Sequence, residues 1–81
     1  MKKLQALLNI YGGIKNGHRD GQFNLLHNPI SHDRRNEWQI VIRLWKNGDW
    51  RVMASAVGGT IEDAASAAVD DYYDRLRREG F

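Results

Sequence analysis

Residues 43–53 read "RLWKNGDWRVM": an Asn-Gly pair between two apolar, alternating runs, each with one tryptophan and one arginine. Asn-Gly between alternating runs is a strong short-range signal for a β-hairpin. The register decides which side chains it hides. On the first strand, residues 37–45, Trp38, Ile40, Ile42 and Leu44 point one way. On the second, residues 50–56, Trp50, Val52, Ala54 and Ala56 do so. A two-residue turn sets Leu44 beside Arg51 and scatters the apolar set over both faces. A three-residue turn, Lys46-Asn47-Gly48, pairs Leu44 with Trp50, Ile42 with Val52, Ile40 with Ala54 and Trp38 with Ala56. All eight then share one face, and Gly48 takes the left-handed position without a Cβ penalty. The sequence predicts the three-residue turn.

The flanks supply the other elements. Leu4, Leu7, Leu8 and Tyr11 recur at helical spacing, so residues 2–11 are expected to be helical and to stop at Gly12-Gly13. Residues 22–28, "QFNLLHN", form a short expected strand between two polar loops, and Pro29 ends it. Thr60 is an N-cap, with Asp63 in a capping-box-like place. Glu62 and Asp63 suit the positive end of a helix dipole, and Arg75, Arg77 and Arg78 the negative end. Ile61, Ala65, Ala68, Tyr72 and Leu76 form that helix's buried stripe, and Ala64 widens its small-residue face. Gly80 marks its end. The order is helix-strand-strand-strand-helix. The expected fold is α+β: one domain over residues 1–81, a two-layer sandwich whose antiparallel sheet is covered on one face by two helices.

Composition narrows the function classes. Eighty-one residues with no cysteine offer no disulfide, no thiolate metal site and no Cys nucleophile. No apolar run reaches the roughly 18 residues of a membrane span, and a cytoplasmic location is expected. Residues 1–53 carry nine Lys/Arg against four Asp/Glu, whereas residues 54–81 carry three against six. That asymmetry suits an acidic or polyanionic partner. His18, His27 and His32 are scattered in the loops without metal-ligand spacing. No nucleotide loop or Ser-His-Asp arrangement is present. No catalytic residue, metal or cofactor is assigned, and the protein is read as a non-enzyme.

The three-residue register leaves Gln39, Val41, Arg43 and Trp45 on the outer face, with Asp49, Arg51, Met53 and Ser55. Arg43 then stands opposite Arg51, an unfavourable pair unless a partner neutralises it. Arg, Trp and Met are also enriched where proteins meet partners. The expected partner site is Arg43, Trp45, Arg51 and Met53, with Arg34 and Arg35 of the basic loop. A fold-back of residues 12–36 or a homodimer would be the alternative covers.

Three resemblances accompany this reading. The element order resembles the double-stranded RNA-binding domain, which implies nucleic acid as an alternative partner. That family's Gly-Pro-x-His element falls at Asn28-Pro29-Ile30-Ser31-His32, without the glycine, and Glu62 and Asp63 stand where its phosphate-binding lysines belong. Such acids repel a phosphate backbone. Gly58, Thr60, Glu62, Asp63 and Ala64 resemble the hairpin-to-helix junction of Hic-type antitoxins. The chain as a whole is similar in style to small phage-encoded accessory proteins, including anti-CRISPR inhibitors. That resemblance implies a phage or mobile-element protein, acting in the host cytoplasm, that occludes a host protein with an acidic or nucleic-acid-binding surface.

Overall fold

The computed structural model describes residues 2–16, 20–28 and 34–79. The elements are α1 (Lys2–Lys15), β1 (Gly21–His27), a short 3-10 turn (Arg34–Asn36), β2 (Trp38–Lys46), β3 (Asp49–Gly58) and α2 (Ile61–Glu79). The strands form an antiparallel meander in the order β1-β2-β3. Both helices pack on one face of this sheet, giving the expected two-layer α+β sandwich. Leu7 of α1, Ile40, Ile42 and Leu44 of β2, Met53 and Ala54 of β3, and Ala64, Ala65 and Ala68 of α2 form one core cluster. Leu7, Ile40, Ile42 and Leu44 are at most 1% exposed, and fully burying such a side chain contributes about 1.5–3 kcal/mol.

Two expectations about the elements are corrected. The first helix does not stop at Gly12-Gly13; it runs through both to Lys15. Tyr11 and Ile14 pack on the core from either side of the pair, and Tyr11 meets Phe23 edge-to-face at 5.6 Å. Tertiary packing on both sides thus outweighs the glycines' poor helix propensity, about 1 kcal/mol each. Leu8, expected on the apolar face, is 41% exposed.

The turn is the second correction. Lys46 pairs with Asp49, so only Asn47 and Gly48 lie between the strands. Their φ values of 55° and 79° are both left-handed, as a type I′ turn requires. A bulge removes the scatter of apolar residues for the second half of β3 only. Arg43 pairs with Val52 and Ile42 with Ala54, leaving Met53 as an extra residue on β3. Beyond the bulge, Ala54, Ala56 and Gly58 lie opposite Ile42, Ile40 and Trp38 and face the helices. Before it, Trp50 and Val52 lie opposite Trp45 and Arg43 on the other face.

The helix–sheet spacing is set by small residues. A Cβ on Gly58 would stand 2.4 Å from the Ala64 backbone nitrogen and 2.7 Å from the Asp63 carbonyl carbon. β3 therefore meets the first turn of α2 backbone to backbone. Thr60 caps that turn as expected, its Oγ1 accepting the Asp63 N–H at 3.0 Å.

Candidate interaction face of the sheet

The side of the sheet away from the helices is built in cross-strand rows. Leu26, Gln39 and Val57 form one; Asn24, Val41 and Ser55 the next; then Gln22, Arg43 and Val52; then Trp45 and Trp50. Both α1 and α2 pack on the opposite face. Val41, at its centre, is 6% exposed, whereas Leu26, Val57 and Trp50 range from 38% to 50%. The two tryptophan rings meet edge-to-face at 5.4 Å, a geometry that suits the charge distribution of aromatic rings. Asp49 Oδ1 accepts the Trp50 N–H at 2.8 Å and steadies the backbone there.

The expected site residues divide. Arg43 and Trp45 lie on this face, both half-buried. Arg51 does not: it pairs with Leu44 and so falls on the helix side of the sheet, near the hairpin end, where it is exposed. The Arg43–Arg51 opposition therefore does not exist. Met53 is not displayed on the outer face either; it is 4% exposed and belongs to the core. Both corrections have one cause, the two-residue turn with its compensating bulge. Arg34 and Arg35 lie in the 3-10 turn that leads into β2. Arg35 is exposed and already engaged with another group, and the Arg34 side chain lies outside the described residues.

Trp50 and Val52 were missed as members of the face, together with the β1 residues Gln22, Asn24 and Leu26. The signal for Trp50 and Val52 was present in Asn47-Gly48, whose two-residue turn sets them opposite Trp45 and, through the bulge, Arg43.

Of the histidines, His18 and His32 lie outside the described residues, as does Asn28-Pro29-Ile30-Ser31-His32 beyond Asn28. His27 stacks on Trp38 with ring centroids 4.0 Å apart, and its Nε2 lies 3.1 Å from Glu37 Oε1. Those partners tie the end of β1 to the start of β2. Among the described residues, no three His, Cys, Asp or Glu side chains are grouped as metal ligands, and no helix is long and apolar enough to cross a membrane.

Glu62 has a structural task the sequence does not announce. Its Oε1 accepts the Lys3 N–H at 2.7 Å and its Oε2 the Leu4 N–H at 3.3 Å. α1 has no acid in its own first turn, so α2 supplies its cap. These backbone hydrogen bonds, that from Lys3 foremost, hold the Glu62 carboxyl below its ordinary value, against a smaller opposing effect of burial.

Comparison of the chain with protein-family models, with curated proteins and with solved structures finds no match.

Proposed function

We propose that the protein is a non-enzymatic binding module that uses the outer face of its sheet to cover the surface of a partner protein. The observation that carries this reading is the grouping of Trp45, Trp50, Val52 and Arg43 at the hairpin end of that face. Apolar and aromatic side chains beside one arginine are the composition of an energetic hot spot, with a rigid ladder beneath to hold them. Arg43 suits an acidic partner surface, including one that normally receives nucleic acid. Occlusion of such a host surface by a phage or mobile-element protein is the biological form we favour.

The test is an affinity capture from nuclease-treated bacterial lysate with three proteins: wild type, Arg43→Glu/Trp45→Ala, and Arg51→Glu. Arg51→Glu places the same charge reversal on the helix side of the sheet. A partner retained by wild type and Arg51→Glu but lost from the double variant supports the reading. Equal retention by all three, or no partner at all, overturns it.

One observation favours a second reading. Gln22, Asn24 and Gln39 surround Arg43 and Val41 on this face. Amides, an arginine and a tryptophan pair on a sheet also suit the bases and phosphates of nucleic acid. Such binding would run through the sheet, since Glu62 and Asp63 make the start of α2 acidic. Binding of a fluorescent oligonucleotide that weakens steeply with added salt, and is lost in Arg43→Glu/Trp45→Ala, would establish it.

A further inference from the structure

We infer that the free edge of β1 pairs with β1 of a second copy of this chain, joining two three-stranded sheets into one six-stranded antiparallel sheet. The argument begins with the direction of the backbone groups. The Trp45 N–H donates to the Asp20 carbonyl at 3.0 Å, and the Asn28 N–H to the Glu37 carbonyl at 2.8 Å. In an antiparallel pair, residues alternate between those bonded to the neighbour and those bonded outward. Gln22, Asn24 and Leu26 therefore spend their N–H and C=O groups on β2. Gly21, Phe23, Leu25 and His27 aim theirs away from the sheet.

Among the described residues, carboxylates take two of the outward donors of β3 and none of those of β1. On β3, the outward N–H of Ser55 is taken by Asp71 Oδ2 at 2.8 Å, and that of Trp50 by Asp49 Oδ1 at 2.8 Å. Carboxylates on an edge satisfy its donors and repel an incoming strand. β1, "GQFNLLH", has no charged Lys, Arg, Asp or Glu, no proline and no bulge. Among the described residues, nothing accepts from the outward N–H groups of Phe23, Leu25 or His27. Among the described residues, this strand lacks the devices by which natural edges avoid pairing.

The same strand is self-complementary. A two-fold axis through Asn24 pairs Gly21 with His27, Gln22 with Leu26 and Phe23 with Leu25 of the second copy, and uses all seven residues. The outward-bonding residues then meet one another, and no like charges are opposed. On the helix side, each exposed Leu25 gains a phenyl ring as its neighbour. Two exposed leucines lie on this strand: Leu25 on the helix side and Leu26 on the outer face. The inference concerns the strand's edge and not its face, so it stands or falls separately from the proposed partner site.

A chain without cysteine allows a direct test of register. Asn24→Cys puts two thiols on the two-fold axis in a non-hydrogen-bonded pair, with Cα atoms about 4.5 Å apart, within disulfide reach. Copper-phenanthroline oxidation should convert it to a covalent dimer, while Asp70→Cys, exposed on α2, stays uncrosslinked. By sedimentation equilibrium the wild type should be a dimer, and Leu25→Lys, with an unchanged circular dichroism spectrum, a monomer. If Leu25→Lys fails to fold, the Asn24→Cys crosslink decides. A wild type that remains monomeric at every concentration overturns the inference. So does a dimer that Asn24→Cys does not crosslink, or an edge that takes up only an extended peptide from another protein.

Discussion

Asp71, just past the middle of α2, reaches the sheet: one of its carboxylate oxygens accepts the Ser55 backbone N–H at 2.8 Å and the Arg75 Nε–H at 2.7 Å. Ser55 lies on the outer strand, so this contact both fixes α2 over β3 and closes a backbone donor at the sheet's edge. Asp71→Ala should destabilise the fold by about 1.5–3 kcal/mol, the range for hydrogen bonds to a charged group. Arg75→Ala should cost less, because the backbone bond survives it. Urea unfolding of the two single variants and the double variant measures both terms and their coupling.

The pH dependence of stability should show Glu62 at its acid end. Its folded pKa is lowered from 4.5 by the Lys3 and Leu4 N–H groups. A lowered pKa gives stability that is present above the unfolded value and lost as pH falls through the folded one. Glu62→Gln should therefore be less stable than wild type at pH 7, and the difference should shrink below pH 4.5. A difference that stays constant from pH 7 to pH 3 would refute this role.

Gly12 and Gly13 sit in a helix with open space where a Cβ would go, and neither has a positive φ. Gly12→Ala and Gly13→Ala should each stabilise by about 0.5–1 kcal/mol, through the entropy of the unfolded chain and better helix propensity. A rise in melting temperature, with additivity in the double variant, is the expected result.

Gly58→Ala should act in the opposite sense. The added methyl meets backbone atoms of Asp63 and Ala64, which cannot rotate away. Overpacking of this kind costs about 1–3 kcal/mol. Thermal melts of Gly58→Ala beside Gly12→Ala separate the two glycine roles in one experiment.

The sequence carried the fold further than it carried the face. Element order, the Thr60 cap and the alanine stripe of α2 follow from local patterns, and the structure has them all. The face depended on one register, and the rule used to choose it was that apolar alternation runs unbroken. β3 breaks that rule at Met53. Asn47-Gly48 keeps its favoured two-residue turn, and the bulge shifts the register after four paired residues. The local turn preference was met in full and the apolar pattern from Ala54 onward, at the cost of one unpaired residue. The helix cap by Glu62 was illegible for another reason. Its partners lie 58 and 59 residues away in the chain, and no local motif records such a contact. The run of α1 through two glycines is likewise decided by what Tyr11 and Ile14 touch, not by the glycines.

The extra residue at Met53 divides β3 into two stretches under different packing constraints. Downstream, Ala54, Ala56 and Gly58 must stay small because α2 rests on them. Upstream, Asp49, Trp50, Arg51 and Val52 lie outside the core cluster and answer to the hairpin alone. The tip can therefore change its side chains as freely as a loop while its backbone is held by the ladder of a strand. A lineage of such proteins could exchange one recognition surface for another at this tip without having to solve its packing again.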